Sequence, residues 1–392
     1  MRTLEGLTVV TFEHAIAAPF CTRQLADLGA RVIKIERPGS GDFARAYDTR
    51  TRGLASHFVW VNRSKESVTL DIKHPASQGV LDALMAKADV VVQNLAPGAA
   101  ARLGLSWQAL SAKHPRLTLC DISGYGPDGP YRDKKAYDLL IQSEGGLVSI
   151  TGTPEHPSKT GASVADIAAG MYAYSNVLAA LLRRGVSGKG SHIEVSMLEA
   201  MTEWTSYALY YTYDGAEPPA RAGASHSAIF PYGPFTAGDG VTVILAVQNE
   251  REWESFCRTV LQRPDVLANE AYAGNARRVA LRDELKQVVD GVLQGLTGQQ
   301  LVARLDEAGI ANACMNDMQG VWDHPQLKAR DRWTEIDSPA GKLRALLPPG
   351  MSREDNPRMD AVPALGQHTD AVLRELGLAG SDIEALRKAG AV

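Results

Sequence analysis

Apolar and polar positions switch between two periods along the first half of the chain. Thr8 to Phe12 is a short run of β-branched and aromatic residues, the small-residue loop His14-Ala-Ile-Ala-Ala-Pro19 follows, and Phe20 to Leu28 carries helical spacing that Gly29 ends. Arg31 to Ile35 reads as the next strand. Together they predict a β-α-β unit, because parallel strands need a crossover helix of this kind. A second cycle gives strand Ser67 to Asp71, a helix opening at Pro75 and strand Asp89 to Val92. A further strand, Leu117 to Ile122, precedes a Gly/Pro-rich stretch, Ser123 to Pro130. Strands alternating with helices predict an α/β chain with a doubly wound parallel sheet.

Helical patterns resume over Ala136 to Leu147 and Ala162 to Leu182, the second rich in Ala and Gly and ending at Arg183-Arg184. Its Tyr172, Tyr174, Ser175 and Asn176 favour a buried helix over a membrane span. Strand Ser191 to Val195 and helix Ser196 to Gly215 follow. The Pro/Gly-rich segment Glu217 to Gly240 marks a change of texture. Beyond it come strand Val241 to Val247 and helical stretches Glu250 to Gln262, Arg277 to Leu296 and Thr297 to Ala308. Pro339 to Pro363 reads as extended, and Thr369 to Ala389 as two short helices.

Length sharpens this picture, since 392 residues exceed the roughly 250–300 at which single cores stop growing, and two unequal domains are expected. The formal charge of −4 gives no net basic field for nucleic acid or an anionic membrane. The start, MRTLEGLTVV, lacks the features of a secretory signal, so the expected location is cytoplasmic. Cys21, Cys120, Cys257 and Cys314 lie far apart without ligand spacing, which signals neither a metal site nor a disulfide framework.

The turn after the first strand holds no GxGxxG, so NAD is not expected, and no GxxxxGK[ST] occurs. Ala15, Ile16 and Ala17 there suit either tight packing or ligand contact. Arg37, Lys73 and Arg102 each follow a predicted strand, which is where open α/β sheets bind ligands. Singly each is a surface charge; together they suit a multiply phosphorylated anion.

Several segments carry a family likeness: GLTVVTFEHAIAAPFCTRQLADLGARVIKIERPGSGD, NRSKESVTLDIK, QNLAPGAAARLG, DISGYGPDGPY, YDLLIQSEGGL and GKGSHIEVSM. In this order they resemble the family III coenzyme A transferases of the CaiB/BaiF type. The resemblance implies a Rossmann-like large domain built from both chain ends, a smaller α/β domain between them, and an interlocked homodimer. It divides the chain into a first large-domain part at 1–200, a linker at 201–224, a small domain at 225–322, and a return linker with the rest of the large domain at 323–392. It also implies coenzyme A as substrate and product, with contacts at Ala15, Ile16, Ala17, Arg37, Leu70, Lys73, Asn94, Leu95, Arg102, Lys135 and Met197. Ile16 departs from the polar residue of formyl-coenzyme A transferase.

Asp166 falls on the family's catalytic aspartate. A carboxylate there can attack a thioester and store the acyl activation as an anhydride and then an aspartyl thioester, provided water is excluded. Ala165, Ala168, Ala169 and Gly170 read as room for the bulky adduct beside a helix N-terminus. An N-cap role explains the position of Asp166 equally well. The same fold hosts α-methylacyl-coenzyme A racemases, which carry a His where this chain has Tyr137, a poor base at neutral pH. A coenzyme A-binding protein without catalysis is the remaining alternative.

The tetraglycine loop of formyl-coenzyme A transferase is absent, and Arg221 to Phe235 resembles the segment of transferases that act on C4 and C5 dicarboxylates. The expected partners are an acyl-coenzyme A, succinyl-coenzyme A foremost, and a dicarboxylic acid such as itaconate. A distal carboxylate needs cations or directed donors. Tyr137, Arg45, Arg52, His226 and Tyr232 are the candidates, each with a packing or surface role as the alternative.

Overall fold

The computed structural model describes all residues from Met1 to Val392. Six strands, β1 (Thr8–Phe12), β2 (Arg31–Glu36), β3 (Lys65–Thr69), β4 (Val90–Gln93), β5 (Thr118–Ser123) and β6 (His192–Ser196), form one sheet in the order β3-β2-β1-β4-β5-β6. Every pairing in it is parallel. The connecting helices are α1 (Ala17–Asp27), α2 (Ser56–Asn62), α3 (Gln78–Lys87), α4 (Ala99–Arg102), α5 (Trp107–Lys113), α6 (Asp138–Glu144), α7 (Leu147–Ile150) and α8 (Val164–Ser187).

Strand residues alternate between two apolar layers, as a sheet covered on both faces requires. Val9, Val32, Val90, Val92, Cys120, Ile122 and Val195 join one core with the Ala-rich faces of α1 and α8. Val10, Phe12, Ile33, Ile35, Val68, Val91 and Leu119 join the other with α3 and with Val372, Leu373, Ile383 and Leu386. Those last four lie in the helices Thr369–Glu375 and Gly380–Lys388. The returning C-terminal segment also covers the open edge of β3: the Ser67 and Thr69 N–H groups donate to His368 Nδ1 (3.1 Å) and Thr369 Oγ1 (2.9 Å).

The chain divides into two compact units, the first Met1–Leu147, Thr160–Tyr207 and Gln326–Val392, the second Val148–Lys159 and Ala208–Pro325. The division differs from the sequence-based one in detail. Residues 148–159 belong to the second unit, and 208–224 join it directly instead of standing apart as a linker. The second unit has an antiparallel sheet of β7 (Tyr232–Thr236), β8 (Thr242–Ala246) and β9 (Ala311–Cys314). Only the middle strand was expected. In the first unit the stretch expected to be merely extended contains part of a hairpin, β10 (Trp333–Ile336) with β11 (Leu343–Leu346).

α8 is long and apolar enough to cross a membrane by length and composition. In the structure Ala165, Ala168, Ala169, Gly170, Ala173 and Val177 are buried, and an added Cβ at Gly170 would lie 2.7 Å from the Ala17 carbonyl oxygen. The small residues are therefore used for the close approach of α1. They do not form the open space for an adduct that the sequence suggested.

Candidate active site

The order of the sheet reverses direction between β1 and β4, and the loops leaving their C-terminal ends diverge there. Asn94, just past β4, ties the two loops: its Oδ1 accepts from the His14 N–H and its Nδ2 donates to the His14 carbonyl, both at 2.9 Å. Ala15 next to it has φ +60°, a left-handed conformation that costs a side-chain-bearing residue energy and must be held from outside. Asp42 holds it, with Oδ1 accepting from the Ala15 N–H at 3.1 Å and Oδ2 paired to Lys34 Nζ at 2.7 Å.

Beneath this loop lies a buried charge network. Lys65 Nζ meets Glu13 Oε1 at 2.6 Å, and Glu13 Oε2 accepts the Thr11 and Thr22 hydroxyls at 2.8 and 2.6 Å. Burial alone would raise the Glu13 carboxyl, yet Lys65 and Lys34 hold it down at about 2; burial in turn pushes Lys65 down to about 8. Every charge is matched, so the network fixes the loop without a net buried charge. Ile16 ends the loop as the N-cap of α1 and provides no side-chain cap.

The topology places Asp166 at the same edge. α8 leads into β6, so its C-terminal end lies at the N-terminal edge of the sheet. Arg184 pins it there, paired with Asp89 Oδ1 at 3.1 Å and donating to the Arg116 carbonyl at 3.3 Å, just before β4 and β5 begin. The N-terminal end of α8 therefore reaches the C-terminal edge of the strands. Asp166 lies one turn before Gly170 and shares its face, next to the N-terminal end of α1 at Ala17.

Asp166 is the third residue of α8 and not its cap; Ser163 holds the cap position without a side-chain hydrogen bond. The backbone N–H groups of Ala165 and Asp166 donate to Asp138 Oδ1, at 2.9 and 3.4 Å. The Asp166 carboxylate itself accepts no hydrogen bond from the protein. Burial, with the neighbouring charge of Asp138 second, pushes its pKa up to about 7. A carboxylate in this state is destabilised and basic, as a nucleophile should be.

Arg37, Lys73 and Arg102 stand exposed after β2, after β3 and at the end of α4. The strands are parallel, so all three loops leave the edge at which Asp166 lies. None of the three has a carboxylate partner. Lys135 is exposed as well. Leu70, Met197, Ile16 and Ala17 are buried, at 1%, 8%, 3% and 2% exposure, so their side chains pack in the core. The Leu95 N–H donates to Gln93 Oε1 at 2.7 Å.

The sequence matches the family described as CoA-transferase family III over residues 4–369. The chain belongs to that family. It is 31% identical to the succinyl-CoA:glutarate CoA-transferase of Homo sapiens, over 96% of this chain and 86% of that protein. It is 32% identical to the succinate–glutarate CoA-transferase of Agrobacterium fabrum, over 95% of each. A CAIB/BAIF family protein from Brucella suis has a similar structure, with TM-score 0.84 and 32% identity over 96% of this chain and 99% of that one.

A family III CoA-transferase works on coenzyme A thioesters, and the cations along this edge have the sign such anionic substrates require. Three of the candidate substrate residues are less available than the sequence suggested. Arg45 is taken: Nε and Nη2 form a bidentate pair with Glu36, both at 2.8 Å, Nη1 donates to the Pro363 carbonyl, and the guanidinium lies 3.7 Å over the Phe58 ring. It is therefore corrected to a structural ion pair. His226 Nδ1 accepts from the Ala228 N–H at 3.1 Å, and its ring stacks on Tyr232 at 5.2 Å, so both residues shape the start of β7. Arg52 is exposed with one donor on the Lys342 carbonyl. Tyr137 is 63% exposed just before α6.

Two residues near Asp166 carry no signal in the sequence. Burial, then the charges of Asp42 and Asp166, push the Tyr47 phenol up to about 12, which places it within electrostatic reach of Asp166. Asp138 directly follows Tyr137, the residue at the position of the racemase histidine. Nothing local marks either residue, since their importance comes from a partner far along the chain.

Proposed function

We propose that this transferase moves coenzyme A from succinyl-CoA to a C4 or C5 dicarboxylic acid, with Asp166 as the covalent nucleophile, in the cytoplasm and as an interlocked homodimer. The observation that carries the reading is the Asp166 carboxylate, mostly buried at the ligand-binding edge without a hydrogen-bond donor and with its pKa raised to about 7. One Asp166 oxygen attacks the thioester carbonyl and the coenzyme A thiolate leaves, giving a mixed anhydride. The thiolate then attacks the aspartyl carbonyl, which releases the donor carboxylate and forms an aspartyl thioester. The acceptor carboxylate repeats these steps in reverse and regenerates Asp166.

The relatives named above support a succinyl donor and a C5 acceptor, since glutarate has the same number of carbons as itaconate. Itaconate is our preferred acceptor. Within the first unit, Arg52 and the exposed Tyr137 hydroxyl are the candidate donors left for a distal carboxylate. The exposed run Tyr207, Leu209, Tyr210, Tyr211 and Tyr213 supports a surface that a second chain covers.

The test is intact mass after incubation with succinyl-CoA, followed by an acceptor screen with glutarate, itaconate, mesaconate, malate and butyrate. A coenzyme A adduct on the parent chain and none on Asp166→Ala is expected, with dicarboxylates preferred. An adduct that persists in Asp166→Ala refutes the nucleophile, and preference for butyrate refutes the substrate class.

A further inference from the structure

An aspartate in the first turn of a helix ordinarily satisfies orphan N–H groups of its own turn, and those groups stabilise its charge. At α8 this does not happen. Ser163 leaves the turn uncapped, and the carboxylate of Asp138, brought in from the start of α6, takes the N–H groups of Ala165 and Asp166. Its other oxygen accepts from Gln142 Nε2 at 2.7 Å. Gln142 is fully buried, and its Oε1 accepts from the Thr160 N–H at 3.2 Å and the Thr160 hydroxyl at 3.4 Å. Asp138 and Gln142 thus clamp the segment 160–166 onto α6.

We propose that Asp138 is a positioning residue, which caps α8 in place of Asp166 and leaves the Asp166 carboxylate without donors, oriented and reactive toward a thioester. The inference rests on Asp166 being the nucleophile. A second role follows from charge. Asp138 is a like charge beside Asp166 and contributes, after burial, to its raised pKa. The other titratable group that senses the Asp166 charge is a phenol, Tyr47, which in turn neighbours Tyr137. No cation offsets the pair.

Asp138→Asn keeps an acceptor oxygen and the side-chain shape but removes the charge, whereas Gln142→Leu keeps the charge and breaks the clamp. The experiment is single-turnover formation of the coenzyme A adduct from succinyl-CoA between pH 5 and 9. Rates are normalised to the adduct finally formed, so that misfolded protein does not count, and KM for succinyl-CoA is measured alongside. In Asp138→Asn the pH midpoint should move to lower pH by about one pH unit, because the like charge is gone. The plateau rate should fall by roughly three-fold or more, since a less basic carboxylate attacks more slowly. In Gln142→Leu the plateau should fall while the midpoint stays, and KM should be nearly unchanged in both variants.

An unmoved midpoint in Asp138→Asn, with normal adduct formation in the parent, overturns the charge role and with it the inference. A normal plateau in both variants overturns the positioning role. Failure of the parent itself to form an adduct on Asp166 refutes the nucleophile assignment instead, which separates the two claims.

Discussion

Replacing Asp166 by Asn should stabilise the folded chain at pH 8 while abolishing transfer. The Asp166 pKa is raised from 3.8 to about 7, so the folded chain holds a proton there that the unfolded chain has already lost between those values. Stability from this group is complete below pH 4 and is lost as pH rises through about 7. That displacement corresponds to about 4 kcal/mol at 1.36 kcal/mol per pH unit, and the partial exposure of the side chain brings the expected gain to about 2–4 kcal/mol. With an unfolding entropy of about 2.1 cal/mol/K per residue, 392 residues give about 0.8 kcal/mol/K, so Tm should rise by about 2–5 °C. Calorimetry of parent and variant at pH 8 and pH 5 measures it. The advantage should shrink at pH 5, where Asp166 is protonated in the folded chain. An equal Tm difference at both pH values, or a loss at pH 8, refutes the argument that burial and Asp138 hold this carboxylate in a destabilised state.

Two further outcomes test the packing and the assembly. Gly170→Ala places a Cβ 2.7 Å from the Ala17 carbonyl oxygen and 3.0 Å from the Phe20 ring, so it should cost about 1–3 kcal/mol, whereas Gly185→Ala, with open space around it, should be neutral or stabilising; equal Tm values for the two variants contradict the proposed helix contact. Light scattering should give twice the chain mass of 42.1 kDa, and a monomer at micromolar concentration rules out the interlocked dimer.

The parallel sheet was legible because its strands are buried on both faces and read as continuous apolar runs, Val90-Val-Val-Gln93 most plainly. Elements with no such run were missed. β9 is Ala-Asn-Ala-Cys and largely exposed, and β7 carries a Gly and a Pro, so neither has the alternation that marks a strand. β3 begins at Lys65, two residues before the strand that the pattern predicts from Ser67, because its first two residues are charged and carry no apolar signal. Lys65 is a buried strand residue paired to Glu13, 52 positions away, and a local pattern cannot register such a partner.

The same limit explains the site. Arg45 was legible as a cation, but whether it is free to meet a substrate depends on Glu36 and Phe58, which the fold brings against it. Buried charges around the β1–α1 loop come with partners: Glu13 with Lys65, Asp42 with Lys34, Glu36 with Arg45. Each such pair is held close to neutrality and loses reactivity in the process. Asp166 has no cation, no donor on its carboxylate, and a like-charged neighbour on its backbone. Sequence could name this aspartate only by resemblance, since an N-cap role explains its position equally well. The fold separates the two readings: Ser163 holds the cap position, the small residues pack against α1, and what sets Asp166 apart is that the chain withholds from it the compensation it gives to its other buried acids.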